Sequence, residues 1–386
     1  MTPRLSPAAE AFMEALQAAI WNKPLHLPDD IWLSRDFWIL AQRQKCSHMM
    51  AVFALENNAP VPDPTTYKMA VYQVLQRQVR QDRLMTDLVQ LLDEHHIQAT
   101  VIKGFGLARL YPKNEMRDYC DVDLYVGPEQ YYPATDVIKA AYPDDYWHSD
   151  TEGGIHFILV LDKDLDRIAE IHRVAMEFAD AQADRAWQAF TAKHIHEQSQ
   201  TVQVNGAQIL MPGHYFNSLY VFLHAWHHFE GGGVGLRQIA DWALCLHALA
   251  AQQTDEQRRA RTDELRQVLT QMHMLEVWQT FAYVLVHRLG LPQDEMPLYT
   301  PAAKDKAERL FLQLILEGHA YRSAKAPAKG LMRLYPHKRP ESGRLRQRAY
   351  TAAKLLFEWR ELSKFFPGYA WHELIAKLRL GLNKHA

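Results

Sequence analysis

The sequence predicts an α+β protein whose β-structure is confined to the middle of the chain, and three observations predict it. Apolar residues recur every three or four positions through the first hundred residues. From about Ala99 to Met211 the runs shorten, gain Val, Ile and Leu, and are punctuated by Gly, Pro and Asn-Gly. Beyond Pro212 the helical period returns, with no fixed repeat length that would indicate a solenoid. The expected organisation is an N-terminal helical region at 1–96, an α/β core at 97–211 and a C-terminal helical domain at 212–386.

In the first region, SRDFWILAQRQKCSHMMAVFALENN opens on Ser34 as N-cap and reads as one amphipathic helix. A long helix follows Pro64. Its stripe of Val71, Val74, Leu75, Met85, Leu88, Val89 and Leu92 faces a core, and Gln78 and Asp82 interrupt the burial midway. In the middle region, ATVIKG is a short strand stopped by Gly104, FGLARLYP a short helix ended by Pro112, and VDLYV a strand ended by Gly127-Pro128. A helix at YYPATDVIKAAY precedes two strands, IHFILVL and RIAEIHRV, joined through the turn-prone DKDLD. TVQVNGAQILM carries Asn205-Gly206 between apolar runs, a strong hairpin signal. The helices after Pro212 begin with GHYFNSLYVFLHAWHHF and LRQIADWALCLHALAAQ.

Composition narrows the function classes. At 386 residues, two or three domains are the default expectation. A formal charge of −2 excludes a globally basic nucleic-acid binder. It leaves a local basic patch, and Arg322–Arg348 is one: a solvated face, or a contact for protein or RNA. Cys46, Cys120 and Cys245 lack CxxC spacing and read as buried thiols in a reducing cytosol. The first residues read as an amphipathic helix and not a signal peptide. No run reaches the roughly 18 to 20 apolar residues that span a bilayer. The expectation is a cytoplasmic protein with no transmembrane segment.

One stretch is chemically unusual. Asp121 and Asp123 sit one residue apart inside a strand, an element that disfavours Asp and like charges on one face. Alternation points both carboxylates the same way, roughly 6 to 7 Å apart along the chain. Either they face water on an edge, or they share something positive. Two carboxylates so spaced can hold one divalent cation or share two, and hard Mg²⁺ prefers oxygen ligands. A third acid is expected from a neighbouring strand, about 4.8 Å away. Glu170 in RIAEIHRV occupies such a position, with His172 on its face.

These residues resemble the nucleotidyltransferase superfamily typified by DNA polymerase β, most of all its branch of uncharacterised nucleotidyltransferases (the family 5 type). The matching positions are Lys103-Gly104, Leu110-Tyr111-Pro112, Arg117, Asp121-Val122-Asp123-Leu124 and Glu170-Ile171-His172. In the helical part, His224 with His227 or His228, then Arg237 and Asp241, look similar to the family's paired histidines and Arg-x-x-x-Asp. Two departures stand out: Gly104-Phe105 where the superfamily usually has Gly-Ser, and Glu where the third acid is more often Asp.

The resemblance implies a minimal nucleotidyltransferase mixed sheet with flanking helices. It implies Mg²⁺ as cofactor, two ions with Mn²⁺ able to substitute, on Asp121, Asp123 and Glu170. The substrate implied is a nucleoside triphosphate, whose monophosphate passes to an unidentified hydroxyl acceptor. Lys103 and Arg117 would neutralise phosphate charge, and Gly104 would let the backbone approach a phosphate. His172, Arg237 and Asp241 would complete the nucleotide's surroundings. Competing readings are a catalytically silent scaffold and an RNA end-modifying enzyme.

Other features read as structure. His156 shares a strand face with Ile158 and Val160, as a core histidine does. His224 and His228 have the i, i+4 spacing of two-histidine metal sites, without the Glu of an HExxH motif. EGGGVGLRQIADW lacks a preceding strand and reads as an interhelical turn.

Overall fold

The computed structural model describes residues 5–143, 146–149, 156–161, 167–231, 234–317 and 344–383. The fold is α+β. Helix α1 (Pro7–Ile20) starts where the Ser6 hydroxyl accepts from the Ala9 N–H and Pro7 presets the first turn. After the short α2 (Asp29–Trp32) come α3 (Arg35–Arg43) and α4 (Ser47–Glu56). The single helix expected over this stretch is therefore two, broken at Lys45, which takes φ 58°. No Gly or Pro marks the break. The 31-residue α5 (Pro64–Glu94) begins with Asp63 accepting from the Thr65 and Thr66 N–H groups.

Among the described residues, seven strands form one mixed sheet in the order β3-β4-β5-β2-β1-β7-β6. They are β1 (Thr100–Ile102), β2 (Asp121–Tyr125), β3 (Tyr146–Ser149), β4 (His156–Leu161), β5 (Arg167–His172), β6 (Gln200–Val204) and β7 (Ala207–Met211). Central β2 runs antiparallel to β1 and parallel to β5. The expected hairpin is β6–β7, turned by Asn205 at φ 47° and Gly206 at φ 87°, the positive angles of a type I′ turn. The expected DKDLD turn lies outside the described residues.

The two sheet faces differ in chemistry because side chains alternate. Val122, Leu124, Phe157, Leu159, Ala169 and Ile171 pack with Leu84, Leu88 and Leu92 of α5 and Ile138 of α7 (Gly127–Ala141). The lower half of the α5 stripe is buried as expected, while Val71, Val74 and Leu75 are only half-buried. Gln78 is buried outright, its amide donating to the Arg117 carbonyl at 2.7 Å, and Asp82 accepts from the Tyr119 hydroxyl. Polar residues there reach the loop before β2.

Over the opposite face lie the C-terminal helices, led by α9 (His214–Gly231) and α10 (Leu236–Gln252). A second and larger core joins helices from both ends of the chain: Phe12, Leu16, Phe37 and Phe53 pack in one cluster with Trp226, Trp242, Trp278 and Phe281. No described helix is long and apolar enough to cross a membrane. The basic segment proposed to touch protein or RNA lies outside the described residues except at its end, where the helix Arg344–Ser363 starts.

Candidate active site

The question raised by two aspartates in one strand is answered by parity and register. Val122 and Leu124 take the inner face of β2, so Asp121 and Asp123 take the other. Parallel pairing sets Asp123 opposite Glu170 and Tyr125 opposite His172. Antiparallel β4 then sets His156 opposite His172, with the rings 5.2 Å apart. These side chains line a cavity of about 730 Å³. Its other walls are Tyr220, His224, His227 and His228 of α9, Arg237 of α10, and Lys45 and His48 from the N-terminal helices.

Asp123 is the electrostatic centre, only 2% exposed. Its Oδ1 receives Lys103 Nζ at 2.6 Å and His172 Nε2 at 2.9 Å. Burial opposes its charge, but Lys103 and His172 outweigh burial and hold the carboxyl well below the usual carboxylate range. Burial likewise opposes a charge on Lys103, and Asp123 first, then Tyr220 and Glu170, raise its proton affinity above the ordinary lysine value. His172 follows the same balance: burial lowers its proton affinity, and hydrogen bonds to Asp123 and Glu170 raise it above normal. Glu170 Oε2 lies 3.4 Å from His172 Nε2 and keeps 24% of its side chain open. Asp121 has no ion pair among the described residues; burial and the Asp123 charge push its carboxyl up.

The donor set suits a divalent cation. Asp123, Glu170 and His172 present ligand atoms that all lie within 4.8 Å of one another. Asp121 is outside that tight group but shares the strand face and the cavity. Both protein contacts to Asp123 fall on Oδ1, and among the described residues none is made to Oδ2. Three carboxylates against one lysine and one imidazole leave this wall net acidic.

Lys103 is held by an unusual backbone. It takes φ 60° and ψ −139°, and Gly104 follows at φ 21° to open α6 (Gly104–Ala108). A Cβ on Gly104 would meet the Asp121 carbonyl at 3.4 Å. Arg117, for which the resemblance implies a phosphate contact, has its donors engaged: Nη1 donates to the Gly104 carbonyl at 3.2 Å, while Nε and Nη2 grip both oxygens of Asp241 at 2.9 and 3.0 Å. Tyr111 donates to the same carboxylate at 2.8 Å. Arg117 thus lines the cavity as a buried strut between the sheet and α10, its charge paired with Asp241. Asp241 is not a cavity residue, and Arg237 pairs with the Asp118 carbonyl at 2.7 Å in place of Asp241.

With this geometry in view, comparison with known proteins is direct. A family described as uncharacterised nucleotidyltransferases matches residues 35–278, more than half of the chain. The chain belongs to that family. No curated protein and no solved structure matches it. The family assignment supports nucleotidyl transfer as the general function of this nucleotidyltransferase and a nucleotide as a ligand.

Within the nucleotidyltransferase cavity, Asp121, Asp123, Glu170, His172, Lys103, Gly104, Arg117 and Arg237 all contribute to the lining, and Asp241 does not. His156, expected in the core, faces the cavity: the strand face it shares with Ile158 is the one bearing Glu170 and His172. Cys120, expected buried, is exposed, while Cys46 and Cys245 are buried. The sequence reading missed Lys45, His48 and Tyr220. Tyr220 was legible in principle, one turn before His224 on the same helix face. Lys45 was not, because only the unmarked helix break delivers it.

Proposed function

We propose that this protein transfers a nucleoside monophosphate from a nucleoside triphosphate to a hydroxyl, with Mg²⁺ on Asp121, Asp123 and Glu170. The observation that carries the reading is the register of β2 with β5, which sets Glu170 beside Asp123 on the cavity face. When bound, the cation neutralises phosphate oxygens and lowers the barrier to in-line displacement. Lys103 keeps Asp123 ionised and supplies a compact positive charge next to the incoming phosphates. His172 holds Asp123 and Glu170 in place through Nε2. Glu170, open to the cavity, accepts the hydroxyl proton; the hydroxyl oxygen bonds to the α-phosphorus as the bond to the β-phosphate oxygen breaks and pyrophosphate departs. Pyrophosphate release from each of the four triphosphates, with cell extract as acceptor source, tests this. Release that needs Mg²⁺ and is lost in Asp121→Asn and Glu170→Gln is expected; release indifferent to both variants contradicts it.

A second reading has its own observation. Lys103 and His172 already neutralise Asp123, as suits a silent scaffold that keeps the fold for binding. It predicts no Mg²⁺-dependent nucleotide binding at all.

A further inference from the structure

The cavity has a second wall whose chemistry is opposite to the first. Lys45 and Arg237 both line it, and neither has a carboxylate partner among the described residues. Asp118, which lines the same cavity, is engaged: its Oδ1 holds Arg77 at 2.6 Å and its carbonyl accepts from Arg237. His228 lies with them, its proton affinity pushed down to about 4 by burial first and then by Lys45, His227, Lys103 and Arg237. The Lys45 ammonium is itself depressed by burial and by Arg237. Cations crowded together without counter-charge are costly unless an anion joins them.

The backbone fixes this crowding in place. Lys45 ends α3 in a left-handed conformation, where Gly or Asn is usual and a residue with a Cβ is strained. The turn is locked by Lys45 N–H to the Gln42 carbonyl and Cys46 N–H to the Ala41 carbonyl. It is also clamped to α10. Gln44 Oε1 accepts from the Leu236 N–H and the Gln44 carbonyl from the Arg237 N–H. A Cβ on Gly235 would sit 2.6 Å from the Gln44 carbonyl, so only glycine permits the approach. The first N–H groups of α10 are thereby used up, and the wall's charge comes from side chains. Local preference is overridden at both positions that aim a lysine at the cavity, Lys45 at φ 58° and Lys103 at φ 60°, the pattern expected of a ligand clamp.

Distance gives the ligand. Along α9, Tyr220, His224 and His228 follow one face at four-residue steps, from Lys103 toward Lys45. Eight residues of helix span about 12 Å, too far for one phosphate to bridge and suited to a chain of phosphates gripped from both ends by long side chains. We propose that Lys45, Arg237 and His228 form an oligophosphate pocket that receives the terminal phosphates of the nucleotide. It rests on the reading under Proposed function for the nucleotide, but not for the pocket's own affinity.

Inorganic tripolyphosphate, titrated by calorimetry into the full chain without metal, tests it. Charge-assisted contacts of this kind correspond to about tenfold each, so Lys45→Gly and Arg237→Gln are each expected to weaken binding about tenfold or more. The exposed Lys68→Met should leave binding unchanged. Lys45→Gly relieves the strained turn and should keep or raise the melting temperature, which separates lost affinity from lost fold. Nucleoside triphosphates should displace tripolyphosphate while monophosphates do not. Binding unaffected by both wall variants overturns the pocket; binding that no triphosphate displaces assigns the anion to the acceptor and overturns the tail assignment. Neither result depends on turnover, so the pocket and the transferase reading fail separately.

Discussion

Asp121 and Asp123, with only Val122 between them, face the same cavity, yet their environments predict opposite behaviour on substitution. Asp123 is the buried counter-charge of Lys103. Asp123→Asn strands that ammonium and should cost about 3–5 kcal/mol, read by denaturant unfolding. Asp121 is pushed toward protonation by burial and by its neighbour. A carboxyl whose folded pKa is raised subtracts stability above its unfolded pKa, so at neutral pH Asp121→Asn should keep or raise stability. Both variants should lose transfer. The contrast separates a charge kept for structure and site from one kept for the site alone. A stable Asp123→Asn, or a destabilised Asp121→Asn, contradicts this account of the acids.

At the scale of elements, pH acts through α9. His228 and His224 carry depressed proton affinities, His228 about 4, while unfolded histidine titrates near 6.5. The unfolded chain therefore binds more protons through this window, and stability falls as pH drops from about 6.5 toward 4. His228→Gln should flatten that slope in melting temperature against pH. The groups facing His228 are cations or imidazoles, namely Lys45, His227, Lys103 and Arg237, which all act in the same direction. The clamp between α3 and α10 makes a further prediction. Gly235→Ala forces the backbone apart at Gln44 and should destabilise by about 1–3 kcal/mol, measured by chemical denaturation.

Elements also show what was legible. The strand carrying Asp121 and Asp123, the strand carrying Glu170 and the Asn205-Gly206 hairpin follow from period and turn chemistry, and all stand where expected. The α3–α4 break does not, since Gln44, Lys45 and Cys46 carry no breaker and the turn is set by contacts far along the chain, Gln44 with Leu236, 192 residues away, and with Arg237. The partner of Arg117 was not legible for a related reason. The family resemblance implies a phosphate contact for Arg117, and only the arrival of Asp241 on α10 shows that its charge is already paired. His156 was assigned to the wrong side because strand alternation gives the period but not which face is covered.

Across the whole molecule, the sheet and the helical body are joined by polar and apolar contacts of different kinds. Ile102, Leu107, Tyr111 and Met116 belong to the core that the terminal helices share, and the Arg117–Asp241 pair is buried among them. Asp241→Asn leaves Arg117 buried and half-paired, and should cost about 3–5 kcal/mol. Arg117→Met combined with Asp241→Leu should recover much of that loss, because a buried ion pair replaced by apolar groups is often neutral. The recovery would not extend to function if Arg117 is needed on the Gly104 carbonyl to hold Lys103 in its left-handed turn. Stability restored while nucleotide binding stays weak is the expected outcome. Full recovery of both makes the strut a matter of stability alone.

The whole arrangement amounts to an acidic wall and a cationic wall facing each other across one cavity. Calorimetry with each nucleoside triphosphate, in the presence and absence of Mg²⁺, tests that most directly. At least one triphosphate should bind with Mg²⁺, more weakly without it, and with the Mg²⁺ enhancement abolished in Asp121→Asn. No binding by any triphosphate, or binding equally strong with Mg²⁺ and with Asn at position 121, contradicts the account.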